Sequence, residues 1–315
     1  MATHTITCVF LLLGLNASAQ SLGTSLVSTA GQSNALPGGR ISWSIGETVI
    51  GTGTVPGGQV TQGFHQTGQV SVRVNITALL EGPFNSGTGL MGDALRSGGW
   101  LPVSEPYTAL GFAQVSGGGE TTIAPVLSVI GNNAIVDWIF LELRDGGNPT
   151  SVQATRSALL QRDGDIVDVD GASPVRFAVD AGSYHVCVRH RNHLSALTLN
   201  SVLLSASPVA INLKDGTTPT YGTNAQKTIG AVKALWTGDV SGNGQVKYTG
   251  SGNDRDPILV TVGSTTPNNI VTGYHRMDVN MNAQVKYTGS GNDRDPILVN
   301  VGSTTPNNVR TQQLP

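Results

Sequence analysis

Two short runs near the C-terminus place side-chain oxygens at every second position. The first, DVSGNGQV, offers Asp239, Ser241 and Asn243, then Gly244 and the backbone carbonyl of Gln245. The second, DVNMNAQV, offers Asp278, Asn280 and Asn282, then Ala283 and the carbonyl of Gln284. Oxygens at loop positions 1, 3 and 5, a carbonyl at 7 and an apolar residue at 8 form the first half of a calcium loop. Ca²⁺ takes six to eight hard oxygen ligands, and a tight loop turns alternate side chains inward. Val246 and Val285 are the apolar anchors. The carboxylate expected at position 12 is missing, because Gly250 and Gly289 stand there. An insertion of about four residues within YTGSG brings Asp254 and Asp293 into that role, and one of about six brings in Asp256 and Asp295. With so few carboxylates per loop, the expected affinity is weak, about 10⁻⁴ to 10⁻³ M.

Asn, Asp, Gly and Ser also dominate solvent-exposed turns, so a turn-only repeat is the competing reading. The duplication weighs against it. QVKYTGSGNDRDPILVTVGSTTPNN, beginning at Gln245, returns 39 residues later with one change, Thr261 to Asn300. In each copy, DPIL predicts a helix with Asp256 or Asp295 as N-cap and Pro at the first helical position. The β-branched ILVTVG admits a strand instead.

A paired loop–helix of this kind, covering 239–315, resembles the dockerin domain, a tandem calcium-loop module. The resemblance rests on Asp239, Ser241, Asn243 and on Asp278, Asn280, Asn282. It implies calcium as the bound cofactor. It departs at the insertion and at Ala283, where the family has a turn glycine for a left-handed backbone. Dockerins contact a partner through positions matching Tyr248-Thr249 and Tyr287-Thr288, but the insertion stops cohesin binding from being carried over.

Other reactive groups read as structural. Asp163, Asp165, Asp168 and Asp170 flank a strand through two Asp-Gly turns. His185 and His190 fall on opposite faces of a strand, and His190 and His193 suit zinc only on a helix or tight turn. Arg189, Arg191 and His193 form a positive cluster, and Cys187 reads as a buried small hydrophobe. No nucleophile elbow or His-Glu-x-x-His motif occurs. The glutamates Glu47, Glu81, Glu105, Glu120 and Glu142 are dispersed.

These residues need a scaffold, and composition indicates its type. The chain has 315 residues, 41 of them Gly, with 12% charged residues and a net charge of −2. Such a balance gives no reason to expect nucleic acid or an anionic membrane as partner. The fold expected is mainly β. A signal peptide (1–19) is indicated by the apolar run ITCVFLLLGL and by Ala17 and Ala19 before Gln20. A small β-meander (20–69) follows, held by Trp43, Ile45, Val49 and Phe64 and punctuated by PGG at Pro37 and Pro56. A central antiparallel β-sandwich (70–213), a polar linker (214–238) and the tandem repeat (239–315) complete the chain. No segment after residue 20 is long and apolar enough to span a membrane.

The block ISWSIGETVI…TQGFHQ, from Ile41 to Gln66, resembles a segment following the signal peptide in secreted Bacteroidota proteins. VDWIFLELRD…DGDIVDVDG…VRHRNHL resembles a domain recurring in surface and secreted proteins of that phylum. The function expected is non-catalytic adhesion or surface attachment, outside the cell or on its surface, with a protein or a surface glycan as partner. The alternatives are an extracellular hydrolase or carbohydrate-binding accessory, and a structural surface protein assembling through strand edges.

Overall fold

The computed structural model describes residues 71–315 throughout and, before them, the backbone of four strands. The expected signal peptide, and Val49 and Phe64 of the expected meander, lie outside the described residues. The four strands form two antiparallel hairpins: β1 (Ala30–Leu36) with β2 (Gly39–Ile45), and β3 (Gly51–Val55) with β4 (Gly58–Gln62). The chain divides into two compact units, Met1–Gly68 and Gln69–Pro315.

The larger unit opens with β5 (Val72–Thr77), whose alternate residues Val72, Val74 and Ile76 are buried. Short elements follow: β6 (Phe84–Asn85), β7 (Leu90–Met91), α1 (Ala94–Ser97) and α2 (Ala124–Leu127). The main strands are β8 (Ile135–Asp145), β9 (Val152–Gln161), β10 (Asp165–Val167), β11 (Val175–Phe177), β12 (Gly182–His190), β13 (His193–Leu197), β14 (Val202–Leu204) and β15 (Val209–Asn212). β8 is buried at every residue from Ile135 to Arg144, as its run of apolar residues on both faces demands. Tyr107, Phe112 and Phe140 pack ring to ring against it, with centroids 4.9–5.3 Å apart.

The strands expected as two layers are hydrogen-bonded into one nine-stranded, largely antiparallel sheet. The cause is β10, which pairs with both β9 and β5 and so stitches the layers together. The Arg73 amide donates to the carbonyl of Ser205, just past β14, at 2.9 Å. That bond sets β5 beside the end of β14.

The segment expected as a linker is also part of the unit. β16 (Gln226–Ile229) and β17 (Val232–Leu235) form a hairpin, with Ala234 and Leu235 fully buried. The alternation Val232, Ala234 with Leu235 supplies an apolar edge that a polar average over the segment conceals.

Residues 239–315 contain β18 (Gln245–Lys247), α3 (Arg255–Val262), β19 (Ile270–Thr272), β20 (Gln284–Lys286), α4 (Arg294–Val301) and β21 (Val309–Thr311). Both helices start one residue before the Asp-Pro pair, so Asp254 and Asp293, not Asp256 and Asp295, are the N-caps. Each ends on a left-handed glycine, Gly263 or Gly302, and the next amide bonds back to Leu259 or Leu298 at 2.9 Å. This stop explains why ILVTV is helical despite its β-branched residues.

The two copies interlock. β21, from the end of the second copy, pairs with β18 of the first, and β19 pairs with β20. Val240, Val246, Ile258 and Val262 meet their equivalents Val279, Val285, Ile297 and Val301 in one small core. Burying each such side chain contributes about 1.5–3 kcal/mol relative to exposure.

Candidate functional site

Each loop gathers two buried carboxylates from opposite ends of its sequence. In the first, Asp239 accepts amide hydrogens from Gly242, Asn243 and Gly244 at 2.7–3.1 Å. Asp254 accepts from Ser241 and Lys247 at 2.9 and 2.8 Å. In the second, Asp278 accepts from Asn282 and Ala283, and Asp293 from Val279, Asn280 and Lys286. Asp254, Asp278 and Asp293 are fully buried, and Asp239 nearly so. Asp254 and Asp293 make no capping bond to their own helices, because both carboxylate oxygens reach back across the loop.

Burial lifts the Asp254 carboxyl to about 6, with repulsion from Asp239 adding to it. Burial takes Asp293 to about 7, with Asp278 as its repelling neighbour. Asp278 is raised by burial to about 6, against the pull of Arg191. Asp239 is raised by burial as well. Paired carboxylates held in this way suit a hard cation, whose charge reverses both effects.

The remaining expected ligands lie around the same loops. Asn243 and Asn282 are exposed, and their side-chain oxygens accept from the amides of Gln245 and Gln284 at 2.9 Å. Asn280 accepts from the Asn282 amide at 3.1 Å, and Ser241 lies against Asp254. Asp256 and Asp295 are placed elsewhere: half exposed, they accept from Asn253 and Asn292 at 2.8 Å and pair with Arg255 and Arg294. Of the two insertion lengths, the shorter one brings a carboxylate to the loop. Two buried carboxylates with hydroxyl or amide oxygens beside them are a donor set that fits Ca²⁺.

The insertion itself holds the copies together. Lys247 and Lys286 close it on the carbonyls of Ser251 and Ser290. Thr249 then donates to Pro306 of the other copy, and Thr288 donates to Pro267, both at 3.2 Å. Tyr248 and Tyr287 lie under Arg255 and Arg294 at 5.2 and 5.0 Å. The positions that contact a partner in dockerins are thus engaged inside this repeat.

The second loop also docks on the sheet. Met281 and Ala283 are buried in the main core, both with left-handed backbones (φ 57° and 66°). Their counterparts in the first loop are Gly242 and Gly244. Close approach is essential here, since a Cβ on Gly82 would collide with the Val279 carbonyl. Asn300 donates to Glu81 and to the Thr237 carbonyl at 2.7 and 2.9 Å, and accepts from Lys227 at 2.8 Å. The one change within the repeated 25-residue phrase therefore falls where the second helix meets the sheet unit. Thr261 in the first copy only bonds back to Pro257 of its own helix.

The docking surface includes a buried polar chain that sequence reasoning missed. Bulges in β8 and β12 turn Asp137 and His190 to one place. The Gly82 amide donates to His193 Nε2 at 3.2 Å, so the proton of that ring sits on Nδ1. His193 Nδ1 lies 2.9 Å from His190 Nδ1, and His190 Nε2 lies 3.0 Å from Asp137 Oδ2. Both rings are thereby satisfied as neutral imidazoles, and burial holds both below the ordinary histidine range. Arg191 and Tyr274 complete the shell of Asp137 at 2.9 and 2.7 Å. Arg191 also reaches the His275 carbonyl, and Asn192 reaches those of Arg276 and Asp278.

Other reactive groups have structural partners. Cys187 is buried, which pushes its thiol up to about 12. Asp168 pairs with Arg156, and Asp170 closes a turn on Ser173. Glu81, Glu105 and Glu142 hold Lys227, Thr108 and the pair Arg144 and Arg189, while Glu120 faces Arg156. Among the described residues no helix is long and apolar enough to cross a membrane. Comparison with protein-family models, with curated proteins and with solved structures returned no match.

Proposed function

We propose that this chain is a secreted, non-catalytic attachment protein whose C-terminal repeat binds two calcium ions. One observation carries the calcium reading: each loop brings a buried carboxylate pair, Asp239 with Asp254 and Asp278 with Asp293, to one place beside further oxygen donors. A plain polar turn has no use for two buried carboxylates that repel one another. Calcium offsets that repulsion and fixes a repeat that contains no cysteine. The sheet unit offers the face for a protein or surface-glycan partner. Secretion rests on the N-terminal apolar run and on the resemblance to exported Bacteroidota proteins. Equilibrium dialysis of the full chain against ⁴⁵Ca²⁺ tests the proposal: two ions per chain are expected, and none at millimolar calcium would refute it.

A further inference from the structure

Where the sheet meets the first loop there is a polar cleft of about 200 Å³, lined among others by Phe112, Arg189, Ser195, Asp239, Arg276 and Gln312. Not all of its charged groups have a direct partner. Glu142 is shared by Arg144 and Arg189, at 2.6 and 2.5 Å. Asp239 spends its oxygens on three loop amides. Arg276 has no carboxylate within salt-bridge distance among the described residues, and its guanidinium lies flat against Gly242, where a Cβ would collide with it. The Nε atoms of Arg189 and Arg276 are both buried and without a hydrogen-bond partner.

Arg276 is attracted by Asp239 and Asp254 of the first loop but bonds to neither, and a cation left without a direct partner in such a place is costly. Ser195 adds a side chain only 2% exposed. Gln312 accepts from the Ser195 amide at 3.2 Å, and its own amide nitrogen lies beside Gly244. Phe112, 4.9 Å beneath the Arg189 guanidinium, forms an apolar wall. Such a donor set has the chemistry of an oxyanion site, and the wall has room for a carbon skeleton.

We propose that this cleft binds a small oxyanion, with Arg276 as its principal cation and Arg189, Ser195 and Gln312 as supporting groups. The ring of an acidic sugar suits the Phe112 wall, and a free sulfate matches the same donors without using the wall. Calorimetric titration of the full chain, at fixed calcium and ionic strength, uses sodium glucuronate, sodium sulfate, sodium chloride and glucose as probes. Saturable binding of glucuronate or sulfate is expected, with none of chloride or glucose, and the anion that binds identifies the source. Arg276→Gln should weaken it about tenfold or more, and Arg276→Lys should retain part of it. Gln312→Glu, which sets a like charge in the cleft, should abolish binding even if Arg276→Gln proves unstable. Equal heats for chloride, or unchanged affinity in a folded Arg276→Gln or Gln312→Glu chain, would overturn the proposal. Because calcium is constant throughout, failure here leaves the calcium reading untouched.

Discussion

Asp293 and Asp295 stand two residues apart and have opposite surroundings: one is fully buried across the loop, the other half exposed beside Arg294. Asp293→Asn should therefore lower the calcium stoichiometry from two to one, while Asp295→Asn leaves it at two. Calorimetry on the full chain separates these outcomes. The histidine chain makes a second residue-level prediction. Folded values below the ordinary 6.5 mean that the unfolded chain takes up protons first. The neutral pair thus contributes stability that is complete above about pH 6.5 and is lost as pH falls below it. The raised carboxyls of the loops act with the opposite sign, so a global melt mixes the two. Imidazole ¹⁵N shifts isolate the effect. They should report His190 protonated on Nε2 and His193 on Nδ1, with both titrating below 6.5. An ordinary midpoint for either would contradict the assignment.

At the scale of elements, the two loops differ where their surroundings differ. Gly244→Ala would give the first loop the backbone cost that Ala283 already bears in the second, about 1 kcal/mol. There is room for the added methyl, with Gln312 3.6 Å away. Gly244 already has that backbone (φ 77°) in the folded loop, so the cost falls on stability, and urea unfolding should show a loss of about 1 kcal/mol. Asn300→Thr, which makes the repeated 25-residue phrase identical in the two copies, strips partners from Glu81, Lys227 and the Thr237 carbonyl. It should cost about 1–3 kcal/mol in urea unfolding, while Thr261→Asn in the first copy should cost far less.

Much of this was legible in the sequence because it is local. The buried Asp239 and Asp278 at the head of each loop, the anchors Val246 and Val285, the Asp163-Gly164 turn and the buried β8 all follow from spacing. What was not legible depends on partners far along the chain. β10 pairs with strands on both sides, and a bulge brings Asp137 to His190 across 53 residues. The N-cap shifted by two residues because Asp254 serves the loop rather than the helix, a choice that capping preferences alone do not encode.

For the whole molecule, the repeat is continuous with the sheet. Arg191, Asn192, Gly82 and Asn300 tie the two together, and Gln69–Pro315 forms one compact unit. Calcium at the loops should therefore stabilise the whole unit in a single transition. The most direct measurement is a thermal melt of the full chain with about 5 mM calcium and again with excess EGTA. Dissociation constants of about 10⁻⁴ to 10⁻³ M correspond to roughly 1–2 kcal/mol per site at that concentration. For a unit of this size the melting temperature should then rise by several degrees. Superimposable melts in the two buffers would contradict the account and reduce the repeat to turns that happen to be duplicated.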